Sequence, residues 1–187
     1  MNLPNKLSCL RLILVPVFAA FFFLKQIPYN YIFALVVFAI ASITDFLDGK
    51  IARKYNLVTN LGKFLDPIAD KVLVSTALIL LVATGVLVPV AGAACVAVII
   101  ARELMISGFR QVAAKTGFVM AADKLGKYKT FVQDVAMIAL MFALQFSTAE
   151  WLYWTGNVLL FVATALTIAS GLNYLIKNRS VFKDEAK

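Results

Sequence analysis

The amino-acid sequence predicts an all-α integral membrane protein with six transmembrane helices and a polar cavity at the cytoplasmic side. The first observation behind this prediction is composition: of 187 residues, 62% are hydrophobic and only 15% are charged. A soluble domain is rarely so apolar. The second is that apolar runs long enough to cross a bilayer recur along the whole chain. We therefore expect one membrane domain over residues 1–187.

The predicted spans follow from segment length and from the turns between segments. A transmembrane helix needs about 20 residues, and Gly, Pro, Asn and Ser clusters mark the connections. The spans are expected at about residues 7–25, 30–54, 61–85, 88–116, 124–147 and 150–177. Gly85 and Pro89 break the long uncharged stretch from Val72 to Ala101, so spans 3 and 4 should form a hairpin.

Basic residues predict the orientation. All of the 18 Lys and Arg residues except Lys25 lie at the N-terminus, around the 2–3 and 4–5 connections, or in the tail. The positive-inside rule places these regions and both termini in the cytoplasm. A net charge of +8 then suits anionic lipid headgroups, and we expect no nucleic-acid partner. The chain has no histidine, and Cys9 and Cys95 lie in separate apolar runs, so we expect no disulfide.

Four aspartates stand out in this apolar chain. Asp45 and Asp48 are three residues apart, and Asp66 and Asp70 are four apart, so each pair shares one helix face. The predicted span lengths put all four near the cytoplasmic headgroups, at the depth of Arg102. Ionisable groups at this depth normally face a bundle interior or a watery cavity, which predicts the polar cavity.

Four carboxylates that face one cavity repel each other unless cations bind them. Ligation by oxygen alone suits hard cations such as Mg²⁺ or Mn²⁺, and two metal ions bridged by carboxylates suit displacement at phosphorus. The alternative is a set of headgroup-level salt bridges from the aspartates to neighbouring basic residues, which are Lys50, Arg53, Lys63 and Lys71.

Residues 45–70 read D-x-x-D-G-x-x-A-R-x8-G-x3-D-x3-D. This pattern resembles, at every position, the signature of the CDP-alcohol phosphatidyltransferase family. The resemblance implies six helices, usually in a homodimer, and transfer from a CDP-linked donor to an acceptor hydroxyl with release of CMP. It implies that two divalent ions, Mg²⁺ or Mn²⁺, bind Asp45, Asp48, Asp66 and Asp70. It also implies that Asp70 is the general base.

The same resemblance suggests which residues bind the CDP donor. Within the signature these are Gly49, Ala52, Arg53 and Gly62. The N-terminal stretch NLPNKLSCLR adds Asn5 and Ser8, because it is similar to the N-x-P-N-x-L-[ST]-x-x-R opening of phosphatidylglycerophosphate synthases. Taken alone, either glycine is better explained by helix packing than by ligand binding.

Two further stretches, ARELMISGFR and GKYKTFVQ, also resemble phosphatidylglycerophosphate synthases. Their cations suit an acceptor that carries phosphate, through charge-assisted hydrogen bonds. The candidate acceptor-phosphate-binding residues are Arg102, Arg110, Lys127 and Lys129. The implied substrates are CDP-diacylglycerol and glycerol 3-phosphate. As alternatives, Lys127 and Lys129 belong to the positive-inside flank, and Arg102 forms a buried pair with Glu103.

Two other functions remain open at this point. A related enzyme could use inositol phosphate, serine or another acceptor, and the candidate cations argue against a neutral acceptor only. A protein of another class, a cation transporter with an acidic ring, would also need aspartates. The glycines and arginine of the signature argue against it, because an ion path does not require them.

Overall fold

A computed structural model describes the backbone of residues 3–54, 60–115 and 124–177. It describes the side chains in these ranges except those of residues 3, 4, 45–54, 60, 61, 63, 64, 112, 114, 115 and 124. The described residues form six α-helices and no strand, which confirms the all-α prediction. The helices are α1 (Leu3–Phe23), α2 (Asn30–Lys54), α3 (Asn60–Ala83), α4 (Ala91–Lys115), α5 (Lys124–Gln145) and α6 (Glu150–Lys177). Their bounds match the predicted spans to within a few residues. Helix α4 begins later than predicted because Val90 has φ +60°, which an α-helix does not accommodate.

The chain divides into two compact units. Unit 1 comprises Met1–Val86 and Met141–Glu150, and therefore contains α1, α2 and α3. Unit 2 comprises Leu87–Leu140 and Trp151–Lys187, and therefore contains α4, most of α5, and α6.

Unit 1 is built around α1, which packs against both α2 and α3. The buried face of α1 recurs every three or four residues, and it changes from polar to apolar along the helix. Its apolar half packs aromatic rings against α2: the ring centroids of Phe18 and Phe38 are 5.9 Å apart, and those of Phe22 and Tyr31 are 5.4 Å apart. Where α1 ends and α2 begins, the side-chain amide of Asn30 donates a hydrogen bond to the Phe21 carbonyl at 2.8 Å.

Unit 2 depends on two close approaches to α6. A Cβ atom at Gly156 would lie 2.7 Å from Leu140 Cγ, so only glycine lets α6 and α5 come this close. Helices α4 and α6 run side by side. Asn157 of α6 accepts a hydrogen bond from the Val88 amide, just before α4, at 2.9 Å, and Ser170 contacts Arg102 further along both helices.

Three of the described helices are long and apolar enough to cross a membrane: Asn5–Phe23, Ala91–Gln111 and Glu150–Lys177. The described side chains of α2 add a shorter apolar stretch, Asn30–Thr44. Helices α3 and α5 carry charged residues in their first turns, which lowers their hydropathy. The structure thus supports a membrane protein, and the six-span topology stays a prediction.

We expect accessibility labelling to reveal this topology. With both termini in the cytoplasm, Pro28→Cys and Ser147→Cys should react with an impermeant thiol reagent added outside intact cells. Asn60→Cys and Ala121→Cys should react only after the membrane is opened. Labelling of Asn60→Cys from outside would contradict the six-span arrangement.

The background for this experiment is a chain in which both native cysteines, Cys9 and Cys95, are replaced by alanine. Cys95 is buried and Cys9 is partly exposed. The background chain must stay unlabelled before the single cysteines are interpreted.

Candidate functional site

Two of the four predicted metal-binding aspartates, Asp66 and Asp70, lie one turn apart on α3 and are partly exposed. The Ser8 hydroxyl of α1 donates a hydrogen bond to Asp66 Oδ1. Asp70 Oδ2 lies 3.5 Å from Lys71 Nζ, and the Asp70 side chain is 43% exposed. The salt-bridge alternative is therefore observed at Asp70, but a pair so exposed contributes little stability.

The polar half of the α1 face supports this part of α3. Asn5, Ser8 and Arg11 are all buried, at intervals of three residues, so they form one stripe along the helix. Ser8 was predicted to bind the CDP donor. In the structure its hydroxyl instead donates a hydrogen bond to Asp66, which is a predicted metal ligand. Arg11 is fully buried. The sequence argument used Arg11 only as a basic flank and as a motif position, although a charge inside an apolar run, one turn from Ser8, is itself a signal.

The rest of the signature lies mostly on α2. The backbone of this helix carries Asp45, Asp48, Gly49, Ala52 and Arg53, and their side chains lie outside the described residues. Gly62 is buried in the first turn of α3. In the described part of the chain, no three Asp, Glu, His or Cys side chains form a group that could hold a metal ion. The ring of four carboxylates stays a prediction.

The donor atoms that are described fit the predicted metal. Asp66 and Asp70 supply carboxylate oxygens only, on one helix face, and both are partly open to solvent. Hard divalent cations such as Mg²⁺ and Mn²⁺ prefer such oxygens. The Ser8 hydrogen bond to Oδ1 fixes one oxygen of Asp66, and a carboxylate has lone pairs on both oxygens to bind a cation.

The predicted acceptor cations separate into two groups in unit 2. Arg102 Nη1 and Lys129 Nζ both donate to Glu103 Oε1, at 3.0 Å and 2.6 Å. Arg102 Nη2 donates to the Ser170 hydroxyl at 3.0 Å. Lys129 is only 1% exposed. The predicted Arg102–Glu103 pair is thus present, and Lys129 of α5 shares its carboxylate oxygen.

Arg110 and Lys127 form the second group, since both are exposed. Arg110 Nε donates to the hydroxyl of the buried Tyr174 at 3.4 Å, and the guanidinium lies 5.5 Å from the centre of that ring. No described residue accepts a hydrogen bond from its two terminal nitrogens, which can therefore take a ligand. Lys127 precedes Lys129 by two residues, so the two lysines point to different sides of α5.

Sequence reasoning did not assign a role to Ser170 or Tyr174, and it treated Glu103 only as a structural partner. Ser170 and Tyr174 are ordinary polar residues in a long apolar helix. Their four-residue spacing, which puts them on one face of α6, is the available signal.

Comparison with known proteins determines the family. The model of the CDP-alcohol phosphatidyltransferase family matches residues 1–169. The chain belongs to this family. Its curated relatives include a Bacillus subtilis (strain 168) protein, 42% identical over 97% of both chains, and a Rickettsia bellii (strain RML369-C) protein, 40% identical over 92% of this chain and 93% of its own. An Escherichia coli (strain K12) protein is 36% identical over 98% of both chains.

All three relatives bear the name CDP-diacylglycerol–glycerol-3-phosphate 3-phosphatidyltransferase. Membership of the CDP-alcohol phosphatidyltransferase family makes this chain a phosphatidyl-transferring enzyme, and its long apolar helices make it a membrane enzyme. The resemblance noted in residues 45–70 is thereby confirmed.

For a CDP-alcohol phosphatidyltransferase with this geometry, we expect Ser8→Ala to lower kcat by roughly tenfold, because one hydrogen bond to Asp66 is lost. Ser8→Thr keeps the hydroxyl and should stay near wild type. The measurements are CMP release and the thermal midpoint in detergent. An unchanged kcat for Ser8→Ala would show that this bond does not matter for turnover.

Proposed function

We propose that this chain is a CDP-diacylglycerol–glycerol-3-phosphate 3-phosphatidyltransferase, which makes phosphatidylglycerophosphate and CMP. The observation that carries the proposal is its identity of 36–42%, over nearly the whole chain, to relatives with that name. The complete family signature in residues 45–70 supports it.

The proposed chemistry begins at the aspartates. Asp45, Asp48, Asp66 and Asp70 would hold two Mg²⁺ or Mn²⁺ ions, which neutralise the diphosphate of the donor when bound. Asp70 takes the proton of the acceptor hydroxyl. The hydroxyl oxygen then bonds to the phosphorus next to diacylglycerol, and the bond from that phosphorus to the oxygen of CMP breaks. CMP leaves with the electron pair.

The environment of Asp70 supports this role. Its side chain is partly exposed on the same α3 face as Asp66, so a substrate hydroxyl can reach it. Asp66, by contrast, is held by Ser8 of α1. One carboxylate is thus fixed and the next, one turn along, is accessible, which suits a ligand and a base respectively.

The donor's polar group is assigned to the residues that the signature and the N-terminal motif identify. These are Asn5, Ser8, Gly49, Ala52, Arg53 and Gly62. The buried positions of Asn5 and Ser8 support an interior binding face on α1. The acyl chains of the donor remain in the bilayer while the headgroup enters from the cytoplasmic side, where the basic residues predict the active site to open.

Of the four predicted cations, Arg110 and Lys127 are assigned to the acceptor's phosphate, because both are exposed, whereas Arg102 and Lys129 are bonded to Glu103. Arg110 is the best supported of these, because it is exposed and its two terminal nitrogens have no acceptor among the described residues. The ring and hydroxyl of Tyr174 hold its guanidinium in place. We also propose a homodimer, as the family resemblance implies, which the mass of the detergent-solubilised protein can check.

We expect Arg110→Ala and Lys127→Ala each to raise the KM for glycerol 3-phosphate by roughly ten- to a hundredfold, because a charge-assisted hydrogen bond to phosphate is lost. The KM for CDP-diacylglycerol should change little. Tyr174→Phe, which removes only the hydroxyl that positions Arg110, should have a smaller effect of the same kind. If only the donor KM moves, these residues serve the donor instead.

The decisive experiment for the function is CMP release by the purified protein with CDP-diacylglycerol and a panel of acceptors. Glycerol 3-phosphate should support release, and inositol phosphate and serine should not. Release with serine or inositol phosphate alone would replace the proposed acceptor. No release with any acceptor, together with divalent-cation flux in proteoliposomes, would favour the transporter.

A further inference from the structure

The buried polar cluster of unit 2 joins three helices. It consists of Arg102 and Glu103 of α4, Lys129 of α5 and Ser170 of α6. Ser170 donates its own hydroxyl proton to the Thr167 carbonyl at 3.2 Å, so its oxygen is free to accept from Arg102. The stem of Arg102 lies against Gly171, where a Cβ would come within 3.3 Å of Arg102 Cγ.

Glu103 is the centre of this cluster because two cations share its Oε1. Lys129 approaches that oxygen to 2.6 Å and is 1% exposed, which leaves its ammonium no open path to a substrate phosphate. Without the carboxylate, a buried and a largely buried positive charge would lose the oxygen that they share, which is unfavourable. The contacts of Lys129 and Arg102 therefore point to a role in holding helices, and not to direct contact with a ligand.

The cluster also determines where Arg110 lies. Arg102 and Arg110 are separated by eight residues of α4, or about 12 Å along the helix. Both reach α6, the first at Ser170 and the second at Tyr174, one turn further. Since a helix is stiff over two turns, the contacts that fix Arg102 against α6 also fix the depth and rotation at which α4 presents Arg110.

We infer that Glu103 is a positioning residue for the acceptor: it holds Arg102 and Lys129, fixes α4 against α5 and α6, and thereby places Arg110 for the acceptor's phosphate. This inference rests on the proposed function, in which Arg110 binds that phosphate. Glu103 itself touches no substrate.

The test is Glu103→Gln, which keeps the size of the side chain and removes its charge. We expect the KM for glycerol 3-phosphate to rise by roughly tenfold, because the phosphate-binding guanidinium is displaced. The KM for CDP-diacylglycerol should stay within about twofold of wild type, since Glu103 does not act on the donor. Glu103→Asp retains the charge and should recover part of the loss. A lower thermal midpoint with an unchanged acceptor KM would overturn the inference, since Glu103 would then serve stability alone. A lower acceptor KM would also overturn it, by showing that Glu103 competes with the phosphate.

A second variant covers the case in which Glu103→Gln does not fold. Ser170→Ala leaves every charge in place and removes only the link from Arg102 to α6. It should raise the acceptor KM by about three- to fivefold, as expected for one hydrogen bond. An unchanged acceptor KM in this variant would overturn the inference.

A double-mutant cycle tests whether Glu103 acts through Arg110. In an Arg110→Ala background, Glu103→Gln or Ser170→Ala should add little to the acceptor KM, because the residue to be positioned is absent. Fully additive effects on the acceptor KM would show that Glu103 does not act through Arg110, and would overturn the inference. The wild-type measurement separates this inference from the function: if wild type releases no CMP with glycerol 3-phosphate, the function fails, whereas normal turnover with additive mutants refutes only the role of Glu103.

Discussion

Asp45→Asn, Asp48→Asn and Asp66→Asn should each lower phosphatidyl transfer by roughly a thousandfold or more, since each removes a proposed metal ligand, and such a ligand is worth several kcal/mol in the transition state. The amide keeps the shape of the side chain and loses its charge, so the helices should remain folded. CMP release measures the activity, and the thermal midpoint in detergent measures the fold. Glu150→Gln is the matched control, because Glu150 is an exposed acid in the first turn of α6.

Removal of the metal should reproduce these losses in the wild-type chain. A chelator should stop CMP release, and excess Mg²⁺ or Mn²⁺ should restore it. Among the three aspartates, Asp66 is the one whose side-chain partner, Ser8, the structure describes. If one asparagine variant kept full activity, that aspartate would not be a ligand. Full activity of wild type in chelator would refute metal dependence.

Asp70→Asn should lower kcat by about 10²–10⁴-fold, the usual range when a general base is lost. A larger loss is expected if Asp70 also binds metal, and the metal dependence of the residual rate distinguishes the two roles. Binding of CDP-diacylglycerol should be largely kept. Stability should change little, because the exposed contact of Asp70 with Lys71 contributes at most about 1 kcal/mol.

The matched control for Asp70 is Lys71→Met. It removes the cation 3.5 Å from Asp70 and leaves the carboxylate in place, so kcat should stay near wild type. An Asp70→Asn enzyme with near-normal kcat would remove Asp70 from the mechanism. A loss of equal size in both variants would mean that the ion pair, and not the base, is what turnover requires.

The sequence by itself determined the six helices of this protein, most of their bounds and the spacing of the aspartates. These features are local: apolar runs and turn residues define each helix, and helical periodicity puts Asp66 and Asp70 on one face. The order of residues in the signature was enough to indicate the family before any contact was known. The start of α4, predicted near residue 88, lies at Ala91, because the backbone at Val90 has φ +60°.

The tertiary structure alone decided which side chains meet. Helical periodicity puts Lys127 and Lys129 on different sides of α5, but only the structure shows that Lys127 is the exposed one and that Lys129 is buried against Glu103. The sequence assigned Ser8 to the donor, and the structure brings the Ser8 hydroxyl to Asp66, 58 positions away in the chain. The physical reason is that periodicity fixes which residues share a face of one helix. How that face is rotated toward a neighbouring helix depends on the packing of residues distant in sequence, such as Gly156 on Leu140.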